Sequence, residues 1–500
     1  MISELVSTII AYEKRGNVQG GIKFLLDKEL SGYDMSAIAK ALIIERHYLS
    51  AYALSDRLIV SGWDKITVRL IRGTVSAIID AKEQYKMDFA FLKANPPDSV
   101  AKCNEIWAGD WITSPLNHMF HLEENHRVFK IGALVQLIDA RLAPIYDDNP
   151  SSVSNKGYEE LPLLASKMTA VKSLARKKVI VACRERFFPS IPNSRYHEIG
   201  PRLVKGMNKV GWDTVFHPLS FSQKMESQIK DYKELGEHSQ SLKPDLIILD
   251  QPRIIDTNMK DFFNIISNGG STLIIGLYLD PWAKIHWPEM IDISQHLDLT
   301  WSAFASVPIW KNDCFNGKVF FSPLLVGSES RQNNSAGRSI NFHGGVGYYN
   351  WQRALWLSAM KSRKMPINIK LSSHLDDGLS AKESSEIYFD KLSKVSAAIN
   401  FSMRNDFSRT QTGRTFEIIF SGALLIQEES EDINLFFTPN KHYLSFRTLG
   451  DLKKISSLLN SNIDYISGIR RAGLAFYNEY YSDHRIISTL DDKLLSLVHC

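Results

Sequence analysis

The sequence has few of the features that mark secreted, membrane-spanning or disulfide-stabilised proteins. Its 500 residues include only four cysteines, which lie far apart and form no Cys-x-x-Cys pair. Reduced thiols are therefore expected, not a disulfide framework or a zinc site. No apolar run is long enough to cross a bilayer, and the N-terminus lacks the basic region and apolar core of a signal peptide. These absences predict a cytoplasmic protein.

The net charge is too small to indicate a nucleic-acid-binding protein. Lysine and arginine number 59 against 55 aspartates and glutamates, which gives a net charge of +4. This mild excess suits an acidic small ligand, and it is compatible with peripheral contact at the anionic inner face of a membrane. The hydrophobic content of 44% is ordinary for a globular chain, and the length predicts roughly two to four domains.

The first part of the chain is expected to be helical. Helix-length segments with glycines near their ends fill residues 1–85, and this pattern favours stacked αα-hairpins in a domain of residues 1–150. No clean internal repeat accompanies them. Such a domain serves either as a structural cap or as the binding surface for a protein or polysaccharide partner, and the sequence leaves both open. A further helix is expected over residues 158–175.

The rest of the chain alternates between predicted strands and helices, which favours an α/β fold with parallel sheets. Two Rossmann-like units are expected, in residues 151–335 and 336–500. A segment rich in serine, asparagine and glycine at 327–337 has the composition of a linker between them. Parallel sheets bind ligands beyond the carboxyl ends of their strands, so the cleft between the units is the expected ligand site.

The most informative stretch is Gly413–Glu428, which predicts a short helix followed by a buried strand. Gly422 fits the C′ position of that helix, and Arg414 and Glu417 are expected in its first turn. A helix N-terminus attracts anions, and a carboxylate one turn in can accept hydrogen bonds from a ribose diol. The stretch predicts a nucleoside diphosphate site or, alternatively, a capped helix with surface charges. The apolar residues at i, i+3, i+4 and i+7 are Phe416, Ile419, Phe420 and Ala423.

A glycine-rich loop follows another predicted strand. Gly345 and Gly347 lie between that strand and a helix, where glycines allow the backbone to approach a phosphate closely. The same glycines are also typical of an ordinary tight turn. His343, directly before them, either contacts the sugar or phosphate or caps the end of the strand.

Residues 341–490 resemble the GT-B glycosyltransferases related to the spore-maturation protein CgeB, and residues 193–217 resemble part of the first Rossmann-like half of that family. The first 150 residues lie outside the resemblance. It implies a GT-B fold, with two Rossmann-like domains facing a cleft and a C-terminal helix that crosses back to the first. The matching elements are 341–353, 388–402, Arg414-Thr415-Phe416-Glu417 with Gly422, and 464–485.

The resemblance implies that the C-terminal half binds a nucleotide-sugar donor without a cofactor or metal. Glu417 matches the glutamate that contacts ribose in this family. Many relatives carry an acidic residue eight positions upstream, where this chain has Arg409. Basic residues are expected to neutralise the diphosphate instead, unless they form only a solvated surface. The expected donor-binding residues are Glu417, Arg414, Thr415, Gly413, Arg409, Arg404, Gly345 and Gly347.

The polar loop after the first strand is expected to border the acceptor side of the cleft. His197 has a pKa range suited to a general base and is the predicted catalytic residue. Glu198 and Asp280 are the alternatives, and helix capping or a surface ion pair is the competing interpretation for all three. The expected acceptor-binding residues are Asn193, Arg195 and Trp282.

Three functions remain compatible with these features. The first is a glycosyltransferase that acts on a glycan, lipid-linked or protein acceptor. The second is a non-catalytic nucleotide-binding scaffold, which the arginine at position 409 favours, and the third is a sugar-nucleotide epimerase of GT-B type. No Asp-x-Asp motif occurs, and the cluster of His118, His121 and His126 with Glu123 and Glu124 matches no zinc signature. No metal site is therefore predicted.

Overall fold

A computed structural model shows a helical N-terminal region followed by two parallel sheets, which confirms the predicted fold class. The helices are α1 Ile2–Lys14, α2 Val18–Leu26, α3 Gly32–Ile44, α4 Tyr48–Val60, α5 Ile66–Ile78, α6 Lys82–Ala94, α7 Ile199–Lys209, α8 Met225–Leu242, α9 Met259–Ile266, α10 Trp287–Ser294, α11 Trp351–Ser362, α12 Ala381–Ser393, α13 Gly413–Phe420, α14 Glu431–Phe436, α15 Leu449–Ser461, α16 Ile463–Tyr480 and α17 Asp483–Val498. The strands are β1 Lys178–Arg184, β2 Asp213–Leu219, β3 Leu246–Asp250, β4 Leu273–Tyr278, β5 Leu299–Ser302, β6 Val319–Phe321, β7 Ile340–Gly344, β8 Ile367–Leu371, β9 Ala397–Asn400, β10 Leu424–Glu428 and β11 Leu444–Phe446.

The structure describes residues 2–63, 66–79, 81–94, 150–151, 161–186, 196–220, 225–252, 259–279, 281, 286–326, 337–344, 351–371, 378–402 and 409–498. Within these ranges, no helix combines the length and the apolar character needed to cross a membrane.

The N-terminal helices pair as αα-hairpins whose turns repeat one backbone geometry. The helices α1, α3 and α4 each end in a residue with positive φ, namely Gly16 at 72°, Arg46 at 65° and Gly62 at 87°. The next amide then bonds to the carbonyl five residues back, as in His47 N to Leu42 O at 2.8 Å, which is the Schellman arrangement. The repeat is therefore present in the turns, although the residue at the left-handed position changes.

The first sheet contains strands in the order β2-β1-β3-β4-β5-β6, all parallel. Its central strands are apolar on both faces because helices cover both sides, as parallel sheets require; all five residues of β3 are buried. The strand order reverses at β1, since β2 lies on one side of it and β3 to β6 lie on the other. Parallel sheets form ligand crevices at such a switch point.

The second sheet has the order β11-β10-β9-β7-β8, again all parallel, with its switch point between β7 and β9. Alternate residues of β9 and β10 face two different hydrophobic clusters. Leu424 and Ile426 join a cluster that also contains Ile9, Leu42 and other residues of α1–α5, whereas Leu425 faces the cluster of the first sheet. The N-terminal helices thus share a core with the second sheet, which is distant in sequence, and not with the first.

The helix α17 lies against the first sheet domain. Asp483 Oδ1 accepts a hydrogen bond from the Val326 amide at 3.2 Å, and the Lys172 ammonium lies 3.0 Å from Asp491 Oδ2. Between these two contacts, Thr489 Oγ1 accepts from the Thr169 amide at 3.0 Å.

The predicted helix over residues 158–175 is wrong in its described part, where only a short 3₁₀ turn forms at 165–167. The backbone after that turn is extended and bonds to side chains of α17.

The predicted helix and strand in Gly413–Glu428 are confirmed. The apolar face of α13 is buried, with Phe416 and Ile419 each 2% exposed. Gly422 has φ of 70° and lies at the C′ position, where its amide bonds to Ile419 O at 2.9 Å. One detail is corrected: α13 begins at Gly413 after the N-cap Thr412, so Glu417 is its fifth residue and lies in the second turn.

We expect Gly422→Ala to lower the melting temperature, because an L-residue in the left-handed region costs about 1–2 kcal/mol. Gly468→Ala is the matched control. Gly468 lies inside α16, and apart from its chain neighbours and its own helix backbone no atom of the described residues lies within 4 Å of the point where an alanine Cβ would be. Alanine there should therefore raise the melting temperature slightly through helix propensity. Calorimetric scans that ranked the two variants in the opposite order would contradict this account of the α13 terminus.

Candidate active site

A buried polar network lies at the carboxyl ends of β9 and β10 and fixes the start of α13. Asn400 Nδ2 lies 3.0 Å from Thr412 Oγ1, 3.1 Å from Thr415 Oγ1 and 2.9 Å from Gln427 Oε1. Gln427 Nε2 donates in turn to Ser402 Oγ at 2.6 Å. Because its members have hydrogen-bond partners, the network sets the direction of α13 at little desolvation cost. The Thr415 hydroxyl, a predicted donor-binding group, is fully buried within it.

Arg414 directs its guanidinium toward the end of β7. Its Cζ lies 5.7 Å from the centre of the Phe342 ring, and its nitrogens fill the space that a side chain at Gly344 would occupy. Nε and Nη1 are buried and have no hydrogen-bond partner among the described residues. The N-terminus of α13 beside them receives no side-chain cap from Thr412. Cationic and amide donors thus converge at one strand end, as in an anion site.

Glu417 projects from the same helix, and both of its carboxylate oxygens have partners. Oε1 accepts from Arg202 Nη1 at 2.5 Å, and Oε2 accepts from the Tyr388 hydroxyl at 3.0 Å. Burial and the Glu417 charge raise the pKa of Tyr388, so its hydroxyl remains protonated as a donor. The carboxylate is therefore held in one position and is not a freely solvated surface charge.

Arg202 reaches Glu417 from the first sheet domain. It also bonds to Glu198, the N-cap residue of its own helix α7, and its Nε donates to Ser385 Oγ at 2.9 Å. Glu198 Oε1 accepts in addition from Ser384 Oγ at 2.9 Å. Ser384 and Ser385 belong to α12 of the second domain, so this cluster joins α7, α12 and α13 across the boundary between the domains.

Arg409 lies close to a buried carboxylate. Its Nε is 4.0 Å from Glu428 Oε1, and the Glu428 side chain is completely buried at the end of β10. Glu428 Oε2 also accepts from the Ser402 amide at 2.8 Å. The chain thus carries an arginine where the resemblance predicts an acid, and an acid from the adjacent strand end faces that arginine.

A second contact between the domains lies at Asp432, near the start of α14. Its Oδ1 accepts from the Ser306 amide at 2.6 Å, and its Oδ2 accepts from the Gln411 amide at 3.4 Å. Gln411 Nε2 donates to the carbonyl of Ala303. Burial raises the pKa of Asp432, and these backbone bonds partly oppose the rise. The loop after β5 is therefore tied to the donor side of the cleft.

His343, the fourth residue of β7, is buried beside Arg414. Burial is the main cause that lowers its pKa to about 4, and the charges of Lys370 and Arg414 lower it further. The imidazole is therefore neutral near pH 7. A neutral ring suits a site that already gathers positive charge, because an additional cation there would be repelled.

On the first domain, an antiparallel bridge between Arg186 and Tyr196 brings His197 back to the end of β1. The His197 amide donates to Glu185 O at 2.8 Å, and the residue is 5% exposed. At the neighbouring strand end, Arg184 Nε lies 2.8 Å from Asp250 Oδ2. The predicted base thus lies next to the switch point of the first sheet, and its catalytic role stays a prediction.

Several predicted residues are not described by the structure. Gly413 is described: it is exposed and is the first residue of α13. Its contact with the donor stays a prediction. The predicted positions outside the described ranges are Gly345, Gly347, Arg404, Asn193, Arg195, Asp280, Trp282 and the histidine cluster at 118–126.

Sequence patterns missed the contacts that join the two domains, and with them the roles of Arg202 and Asp432. Arg202 and Glu417 are 215 positions apart, and neither helical periodicity nor motif spacing reports contacts at that separation. The only local signal is the i, i+4 spacing of Glu198 and Arg202, which is common on helix surfaces. Asp432 and Glu428 gave no signal beyond being acidic residues near a predicted strand.

Comparison with known proteins identifies the class of the second domain. Residues 332–491 match the protein family model described as "Glycosyl transferase-like", and this match spans β7–β11 with the helices around them. The match covers less than half of the chain, and the two Rossmann-like parallel sheets have the arrangement expected of the GT-B fold class. No curated protein matches the sequence of the chain.

Solved structures that match the chain include Anabaena HepE in complex with UDP and glucose, which is 7% identical, with a TM-score of 0.42, over 64% of this chain and 100% of that one. Sucrose-phosphate synthase from Thermosynechococcus elongatus is 8% identical, with a TM-score of 0.44, over 65% of this chain and 100% of that one. An O-GlcNAc transferase mutant from Thermobaculum terrenum is 10% identical, with a TM-score of 0.38, over 99% of this chain and 97% of that one.

We expect Arg414→Met to raise the pKa of His343, because a nearby positive charge disfavours the imidazolium. The pKa should stay below the ordinary value of 6.5, since burial is the larger cause of its depression. NMR titration of the His343 ring protons measures this shift, with Arg471→Met on the exposed face of α16 as the control. An unchanged His343 pKa in the Arg414 variant would show that the two side chains are not neighbours.

Proposed function

We propose that this protein is a glycosyltransferase that moves a sugar from a nucleotide-sugar donor to a glycan, lipid-linked or protein acceptor, without a metal ion. The donor binds at the carboxyl edge of the second sheet. The acceptor binds on the first domain, across the cleft. Within the GT-B class, the relationship to the CgeB group is part of this proposal.

The main support is the guanidinium of Arg414, in which two buried nitrogens have no hydrogen-bond partner in the part of the chain that the structure describes. A buried donor without a partner is costly, and these two nitrogens lie beside the N-terminus of α13, where the Thr412 side chain provides no cap. A diphosphate would satisfy both groups at once, since its oxygens accept several charge-assisted hydrogen bonds. Arg409 lies near the end of β10, beside the buried Glu428, and is proposed to add to the positive charge on this side of the cleft.

Glu417 fits the ribose of the same ligand. It lies three residues after Arg414, within one turn of α13, so the two side chains can contact neighbouring parts of one nucleotide. Its carboxylate is held by Arg202 and Tyr388, and each carboxylate oxygen retains a lone pair that can accept from a ribose hydroxyl.

The proposed reaction breaks the bond between the anomeric carbon and the β-phosphate oxygen, and forms a bond from that carbon to an acceptor hydroxyl oxygen. The nucleoside diphosphate leaves with the electron pair, and Arg414 stabilises the charge that develops on it. The acceptor proton passes to a base, for which His197 is the proposed residue. Proton transfer to a positioned histidine at near-neutral pH is effective general base catalysis.

We expect Glu417→Ala to weaken nucleotide binding by about tenfold or more, because a lost charge-assisted hydrogen bond typically costs about 1.5–3 kcal/mol. The test is calorimetric titration of UDP, GDP, ADP, CDP and dTDP into the wild type and the variant. Glu386→Ala, at an exposed position of α12, is the control and should bind as the wild type does. Equal affinity in a folded Glu417 variant would reject the ribose assignment.

We expect Arg414→Ala to reduce turnover by about 30- to 1,000-fold, the loss that follows removal of about 2–4 kcal/mol of transition-state stabilisation. Activity should persist in chelator, because the cations replace a metal at the leaving group. Release of the nucleoside diphosphate from nucleotide sugars provides the assay, with Arg471→Ala as the control. Turnover that vanished in chelator and returned with magnesium or manganese would count against the proposed cationic site.

The scaffold and epimerase alternatives are separated by the same measurements. A scaffold binds a nucleoside diphosphate without consuming the nucleotide sugar, and an epimerase converts the sugar without transferring it. Arg409, which favoured the scaffold on sequence grounds, now lies opposite the buried Glu428. A nearby cation stabilises a buried carboxylate, so the arginine has a structural reason to be there in an active enzyme.

A further inference from the structure

Arg202 occupies an unusual position for a residue of the first domain, because most of its hydrogen bonds reach the second. It is the fourth residue of α7 and its side chain is 10% exposed. Nη1 donates to Glu417 Oε1 at 2.5 Å, Nε donates to Ser385 Oγ at 2.9 Å, and Nη2 bonds to Glu198. Its Cζ also lies 4.8 Å from the centre of the Phe389 ring. All three guanidinium nitrogens therefore have a hydrogen-bond partner, and the guanidinium also packs on an aromatic ring.

The charge balance makes this arrangement specific. The carboxylates of Glu198 and Glu417 share one buried cation. Removing that cation would leave two negative charges unneutralised at the poorly solvated boundary between the domains. A lysine keeps the charge, but its ammonium lacks the planar fork that contacts three groups in three directions. The site therefore depends on the shape of arginine as well as on its charge.

The same contacts determine how Glu417 is presented. Tyr388 holds one oxygen of the carboxylate and Arg202 holds the other. Without Arg202, the carboxylate keeps a single anchor and can rotate about its side-chain torsions. Ordering such a side chain on binding lowers affinity by about two- to tenfold, and preorganisation avoids that loss.

The contacts also run to the acceptor side. Glu198 follows the proposed base His197 directly and bonds to both Arg202 and Ser384. The Arg202 side chain therefore connects the Glu417 carboxylate to the start of α7. A displacement of the first domain away from α12 and α13 would break these bonds and release Glu417 as well.

We infer that Arg202 is a positioning residue for donor binding, which holds Glu417 in its binding orientation from the opposite domain and makes donor affinity depend on the closed arrangement of the two domains. This inference rests on the proposed function, because it requires that Glu417 contacts the nucleotide. It goes beyond it by placing a determinant of donor affinity on the acceptor-side domain.

A double-mutant cycle tests the inference with Arg202→Met, Glu417→Gln and the double variant, using the nucleoside diphosphate from the panel that binds the wild-type protein most tightly. Calorimetry gives the dissociation constants, and melting temperatures are measured in parallel. Lys205→Met, which removes an exposed cation from the same helix, is the control. Arg202→Lys provides a second test that preserves the buried charge, in case the methionine variant does not fold.

The expected result is that Arg202→Met raises the dissociation constant by up to roughly tenfold, the cost of ordering the Glu417 side chain on binding, and that the double variant is no weaker than the weaker single variant. Arg202→Lys should raise the constant by a smaller factor, and Lys205→Met should leave it unchanged. The effects of the two substitutions should not add, because Arg202 affects the ligand only through Glu417.

Three outcomes would overturn the inference. Unchanged affinity in folded Arg202→Met and Arg202→Lys, even with lower melting temperatures, would mean that Arg202 only stabilises the domain boundary. If the two affinity losses multiply to roughly a hundredfold in the double variant, Arg202 acts on the nucleotide independently of Glu417. Tighter binding in Arg202→Met would mean that it competes with the nucleotide. If no nucleoside diphosphate binds the wild type, the proposed function fails first, and that result is distinguishable from all three.

Discussion

A single guanidinium joins the two halves of this molecule where they meet at the cleft. Arg202 belongs to the helix after β1, and its partners belong to two helices of the second sheet domain. Apolar packing between domains is tolerant of small rotations, whereas hydrogen bonds with defined directions are not. The contacts of Asp432 with the loop after β5 act in the same way at a second point. With α17 laid along the first domain, the relative position of the two sheets is fixed at three places.

The elements that sequence analysis predicted well are those whose signal is local. The apolar spacing of α13, the glycine at its C′ position and the strand that follows are properties of adjacent residues, so the sequence reports them directly. The alternation of strands and helices likewise predicted two parallel sheets. The position of Arg414 near a helix start was predicted in the same way, whereas its contact with a donor stays a prediction.

The parts that sequence analysis missed depend on contacts between distant residues. The stretch around Thr169 has the composition of a helix, but the side chains of α17 bond to its backbone and hold it extended. The N-terminal repeat was hidden for a related reason. Its recurring feature is a left-handed residue, which is Gly16 and Gly62 in two turns but Arg46 in another, so the geometry repeats and the sequence does not.

The shared core between the N-terminal helices and the second sheet has a consequence for how the chain folds during synthesis. Residues such as Ile9 and Leu42 belong to one hydrophobic cluster with Leu424 and Ile426, yet the ribosome makes them hundreds of residues earlier. At about 5–20 residues per second, the first helices wait on the order of a minute before their final surface exists. During that time they expose apolar area that is normally covered, and they are a natural point of contact for a chaperone.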